Sequence, residues 1–260
     1  MTTSDAAVER LLTAADGVEI AAVQYPSSNN ELVIIVVHGF SGHRYEDRVQ
    51  KVIRVFNEQA GVIAIDQRGH GASGGNSTVG YLEVLDVDAA VAWARELGYA
   101  RIALAGFSMG GSVVIRAAAI GAEAAYVDAV VAVSGPAFWY YKGTKRMRQV
   151  HKGVETLIGR LVMRSVLRTR IARPPWPDPP PLPPYAAAAK LGSTPLLVVH
   201  GDVDRYFPLE HPEALFRAAS EAGVDAELWI EEGFGHAENA ITVAQLQRIT
   251  EWIASKTEHS

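Results

Sequence analysis

The chain contains no cysteine, which excludes disulfides, thiolate nucleophiles and cysteine-ligated metals. Its histidines and acids show no H-E-x-x-H or comparable ligand spacing, so no metal is expected. Gly69-His70-Gly71-Ala72-Ser73-Gly74-Gly75 is glycine-rich, yet it lacks G-x-x-x-x-G-K-[ST], and it reads as a glycine-permitted loop, not a nucleotide cradle. No uninterrupted apolar run approaches the length needed to span a bilayer. Met1-Thr2-Thr3-Ser4-Asp5 has neither the basic start nor the apolar core of a secretory leader, which points to a cytoplasmic protein. A formal net charge of -5 argues against nucleic acid as a partner.

What is present is an α/β rhythm. At 260 residues the chain fits one large domain with an insertion. Leu11 to Tyr25 reads as a hairpin turning at Asp16-Gly17. Leu32 to Val37 and Val62 to Asp66 are apolar, β-branched runs of the kind buried on both faces of a sheet. Further strands are expected at Ile102–Ala105, 129–133, 196–199 and 227–230, with helices near 46–59, 82–97 and 241–255. Apolar strands alternating with helices imply a mostly parallel sheet covered by helices on both faces.

One segment breaks the rhythm. Between Pro136 and Leu191 no strand is expected, and residues 142–173 hold ten Lys or Arg against the single acid Glu155. That stretch carries +9 and the rest of the chain -14. Met147, Val150, Val154, Leu157, Ile158 and Leu161 fall on one face of a helix, with Arg148, His151 and Lys152 read as solvated. Arg173 to Pro184 then carries eight of the 13 prolines, a stiff extended run. Residues 137–190 therefore read as a basic helical cap with a proline strap, inserted into a core of 1–136 and 191–260. Trp139, Tyr140 and Tyr141 fall just past a strand end, where they would either line an apolar substrate site or anchor the cap. Contact of the basic cap with anionic lipid is a second reading beside the solvated face.

Gly106-Phe107-Ser108-Met109-Gly110 lies between an apolar strand and a small-residue helix, the context in which G-x-S-x-G marks a nucleophile elbow. A serine hydroxyl needs a base within hydrogen-bond reach, usually a histidine oriented by a buried carboxylate. Asp204 and His236 each follow a later strand. Asp202 competes for the acid, and seven other histidines compete for the base. His38, His70, His200 and His211 read as structural, and Asp66 as a loop-binding carboxylate.

At these residues the chain resembles the α/β-hydrolase superfamily, in its serine esterase and monoacylglycerol-lipase-like branch. The resemblance rests on His38-Gly39-Phe40, Asp66-Gln67-Arg68-Gly69-His70-Gly71-Ala72-Ser73, the elbow, and Gly201-x-x-Asp204 with Gly235-His236. It implies an α/β-hydrolase fold, Ser108 as nucleophile, His236 as base and Asp204 as its orienting acid. It also implies an oxyanion hole from the backbone N–H groups of Phe40 and Met109, a small-molecule ester as substrate, and no cofactor. Thioester cleavage, acyl transfer and C–C bond hydrolysis use the same residues, and a non-catalytic ligand receptor is the alternative from another class.

Overall fold

The structure, a computed structural model, describes residues 7–258; Met1 to Asp5, on which the leader expectation rests, lie outside them. Its centre is one eight-stranded sheet made of β1 (Val8–Thr13), β2 (Glu19–Tyr25), β3 (Leu32–Val37), β4 (Gly61–Ile65), β5 (Arg101–Phe107), β6 (Ala129–Val133), β7 (Leu196–Gly201) and β8 (Ala226–Glu231). The spatial order is β1-β2-β4-β3-β5-β6-β7-β8. β1 and β2 form the expected hairpin, with Leu12 opposite Ile20 and Gly17 at φ 81° in its turn. β2 is antiparallel to β4, and every later pairing is parallel.

The central strands are almost wholly apolar because both faces are covered. Val33, Ile35 and Val37 pack into one core, while Leu32, Ile34 and Val36 pack into the other. α1 (Asp47–Asn57) and α9 (Val243–Thr257) cover the second side. α2 (Val84–Glu96), α3 (Met109–Ile120) and α7 (Glu210–Glu221) cover the first. The chain runs from β3 outward to β4 and then returns to the other side of β3 as β5. This reversal leaves the loops after β3 and β5 side by side at the strands' carboxyl ends, where open α/β sheets bind ligands.

The inserted segment departs from the single amphipathic helix expected of it. It forms two helices, α4 (Lys145–Glu155) and α5 (Leu157–Val166), broken at Thr156. Thr156 is extended, at φ -96° and ψ 152°, and its hydroxyl accepts the Gly159 N–H, capping a new helix. Gly159 lies so close to the Lys152 and Gly153 carbonyls that only a residue without a side chain fits. The restart rotates the stripe: Val154 is buried, but Leu157, Ile158 and Leu161 face solvent. His151, expected to be solvated, is buried because its ring lies against Trp176 and its Nδ1 bonds Glu155 at 2.8 Å. Arg148 and Lys152 are exposed as expected.

The proline-rich run is pinned at both ends. Ile171 makes a parallel bridge with Ser77, and Arg170 donates to the Gly75 carbonyl at 3.0 Å and to that of Ser73. At the far end a short helix unmarked in the sequence, α6 (Pro184–Ala188), buries Ala187 and Ala188 in the core beside α3 and α7. Among the described residues no helix is long and apolar enough to cross a membrane.

Candidate active site

β5 ends at Phe107, and the chain reverses into α3 through Ser108 at φ 50° and ψ -119°. Such backbone is costly for a residue with a side chain, and it lifts the hydroxyl clear of both elements. The residues two places before and after it must be glycines. A Cβ on Gly106 would strike the Gly110 carbonyl, and one on Gly110 would strike the Val37 carbonyl at the end of β3. The tight turn is thus set by close backbone approach, across the turn itself and between the start of α3 and the end of β3.

The loops after β7 and β8 bring two further side chains to this hydroxyl. His236 Nε2 lies 2.9 Å from Ser108 Oγ, and His236 Nδ1 lies 2.7 Å from Asp204 Oδ2. Asp204 Oδ1 accepts from the backbone N–H groups of Tyr206 at 2.7 Å and Phe207 at 3.2 Å. Burial pushes the Asp204 carboxyl upward, but the hydrogen bond and charge of His236 and the Tyr206 N–H outweigh it, so its pKa is lowered. Tyr206 stacks on the His236 ring at 4.3 Å between centroids, which fixes the imidazole plane. Asp202, the competing acid, instead accepts the Gly233 N–H at 2.7 Å in an exposed turn.

The loop after β3 is held from several sides. The Gly39 N–H donates to Glu238 Oε1 at 2.7 Å, and the Ser41 N–H to His70 Nε2 at 3.1 Å. His38 accepts the Gln67 N–H at Nε2 and donates from Nδ1 to the Gly39 carbonyl at 2.7 Å. Burial lowers the pKa of both rings, which suits neutral, loop-binding imidazoles. Asp66 accepts the backbone N–H groups of Arg44 and Ala72 and pairs with the Arg44 guanidinium. His200 donates to the Phe207 carbonyl at 2.8 Å, and His211 accepts the Ala137 N–H at 3.0 Å. The N–H groups of Phe40 and Met109 are not taken up by any backbone acceptor among the described residues, and both residues line the same cavity as Ser108.

That cavity has a volume of about 280 Å³ and lies between the strand ends and the cap. Trp139, Tyr140 and Tyr141 all line it and also pack on the cap's supports. Trp139 Nε1 donates to the Pro181 carbonyl at 2.8 Å, Tyr140 sets its edge on Trp176, and Tyr141 lies 4.4 Å from the His211 ring. Lining and anchoring are therefore done by the same rings. Among the cavity residues that the sequence did not mark are Trp176, Met163 and Glu238. Trp176 was masked by its proline surroundings and Met163 by the assumed continuous helix. Glu238, two residues past His236, is 4% exposed, and burial raises its pKa against the Gly39 N–H that pulls it down. Its one sequence signal is an acid two residues after the histidine.

The family model described as serine aminopeptidase, S33, matches residues 28–177, and that of the prolyl oligopeptidase family matches residues 180–260. Human protein ABHD12B is 27% identical over 197 residues, covering 73% of this chain and 50% of that protein. The chain thus spans about half the length of this curated relative. Among solved structures, the esterase Pf2001 of Pyrococcus furiosus superposes with a TM-score of 0.75 at 21% identity, covering 97% of this chain and 93% of that one. Est1E from Butyrivibrio proteoclasticus, solved with ferulic acid bound, superposes with a TM-score of 0.62 at 21% identity, covering 96% and 100%. Sheet order, the turn at Ser108 and a family match over more than half of the chain converge: this protein belongs to the serine aminopeptidase S33 family and is an esterase-like α/β-hydrolase.

Proposed function

We propose that the chain is a serine carboxylic-ester hydrolase working through an acyl-enzyme, with Ser108, His236 and Asp204 as its catalytic triad. The observation that carries this reading is the unbroken hydrogen-bonded line from Ser108 Oγ through both nitrogens of His236 to a buried Asp204. Ser108 Oγ attacks the ester carbonyl while His236 Nε2 takes the hydroxyl proton. Asp204 keeps the Nδ1 proton in place and stabilises the imidazolium that forms. The tetrahedral oxyanion is met by the N–H groups of Phe40 and Met109. Collapse breaks the C–O bond to the alcohol, which leaves with the proton from His236. Water then attacks the acyl-enzyme by the same base and releases the acid.

Electrostatics support the division of labour. An acid whose pKa is lowered stays ionised at neutral pH, as an orienting partner must. The aromatic walls of the cavity favour esters with an apolar acyl or aryl group, and the neighbour solved with ferulic acid has an aromatic ligand of that kind. The test has two arms. A fluorophosphonate probe should label the native protein and not Ser108→Ala, and a panel of short-acyl, long-acyl and aryl esters should lose turnover by roughly 10⁴-fold or more in that variant. Turnover unchanged in Ser108→Ala would defeat the assignment.

A further inference from the structure

α5 is turned with its aliphatic side outward. Leu157, Ile158, Leu161, Val162 and Val166 are all exposed, Ile158 at 77% and Val166 at 70%. Helical spacing places these five within one half of the cylinder. From the opposite side, Met163 enters the substrate cavity and Gly159 packs on the α4 backbone. The close glycine contact explains the orientation, because only the small-residue side can approach α4. Among the described residues nothing covers the apolar half, an arrangement soluble monomers seldom keep without a use.

The charge of the cap that carries this face identifies its occupant. Arg164 and Arg168 are exposed on and just after α5, and Lys145, Arg146 and Lys152 are exposed on α4. None of these five has an ion-pair partner among the described residues. The one acid of the segment, Glu155, is already engaged by Lys142 at 2.8 Å and His151 at 2.8 Å. A second copy is disfavoured, since two such faces would bring +9 against +9. We propose that the outer face of α5 docks on an anionic lipid surface, its aliphatic half entering the boundary between headgroups and acyl chains while the cap's cations meet lipid phosphates. The same helix would then touch the membrane on one side and the substrate cavity on the other.

The test uses the full chain and reads binding alone, so it does not depend on the ester reading. At low salt the protein should co-sediment with vesicles containing about one-third phosphatidylglycerol and only weakly with pure phosphatidylcholine, and raised salt should release it. The double substitution Ile158→Ser with Val166→Ser should weaken that binding by about tenfold or more. Arg164→Gln with Arg168→Gln should erase the preference for anionic vesicles. Neither pair contacts the cavity, so thermal melting and turnover of a soluble ester should stay at the native level. The proposal is overturned if the native protein ignores anionic vesicles, or if the serine pair binds them as well as the native chain. A concentration-dependent dimer abolished by the serine pair would also overturn it, by assigning the face to a second copy.

Discussion

Glu238 shows how a buried carboxylate can matter to chemistry that it does not perform. Its Oε1 receives the Gly39 N–H, and the next peptide carries the Phe40 donor proposed for the oxyanion. Glu238→Ala strands that N–H in a buried site, at a cost of about 1–3 kcal/mol, and frees the loop to shift. The expected outcome is a fall in kcat of tenfold or more (about 1.4 kcal/mol) with KM little changed, because a misplaced oxyanion donor harms the transition state more than the bound ester. Glu238→Gln keeps an acceptor oxygen and should recover most of the rate. Equal loss in both variants, measured by steady-state kinetics, would show that this positioning role is mistaken.

Asp204 makes a second residue-scale prediction, whose sign follows from its lowered pKa. An acid held below its ordinary value in the fold binds protons more weakly there than in the unfolded chain. Its stabilising contribution is therefore complete above the ordinary carboxylate pKa and is lost as pH falls through the folded value. Urea unfolding should find Asp204→Asn less stable than the native protein at neutral pH, with the gap closing in acid. A gap that persists unchanged in acid would mean that the ionised carboxylate's hydrogen bonds to His236 and the Tyr206 N–H contribute nothing. The same substitution should lower kcat by roughly 10⁴-fold by favouring the wrong imidazole tautomer.

At the scale of elements, the core was legible and the cap was not, for a physical reason. Strands such as Leu32–Val37 and Ala129–Val133 are buried on both faces, so apolar composition alone declares them. The turn at Ser108 was legible because its two glycines are dictated by backbone contacts that no other residue could survive. In the cap, aliphatic spacing continues across Thr156 without interruption, and nothing in that spacing reveals that a threonine restarts the helix with a different rotation. The two glycines at the crossing provide the test. A Cβ at Gly159 meets the Lys152 and Gly153 carbonyls, whereas one at Gly153 meets only the movable end of Met163. Gly159→Ala should therefore separate α4 from α5, costing about 1–3 kcal/mol, while Gly153→Ala is absorbed by a methionine rotamer. Limited proteolysis within 142–173 should accelerate in the first variant alone; equal rates would show that the crossing is not set by this contact.

At the scale of the whole molecule, the cavity is a joint product of segments far apart in sequence: the loop after β3, the elbow, the cap helices and the strap. Trp176 links the last two. Its ring touches Tyr140 at 5.0 Å, His151 at 5.7 Å and Trp139 at 6.4 Å, and its Nε1 donates to the Val79 carbonyl at 3.3 Å. Removing it should do two separable things. Lost ring contacts loosen the cap by about 1–3 kcal/mol, less than a fully buried tryptophan would because Trp176 is only partly buried. The space it vacates joins the cavity, so bulkier acyl or aryl groups gain relative to short ones. On an ester panel Trp176→Ala should raise the ratio of kcat/KM for large over small acyl groups several-fold, since each methylene accommodated is worth roughly 1 kcal/mol. A uniform loss across the panel, with the ratio fixed, would instead mean that the strap governs only how firmly the cap is held and that the walls nearer Ser108 set the preference.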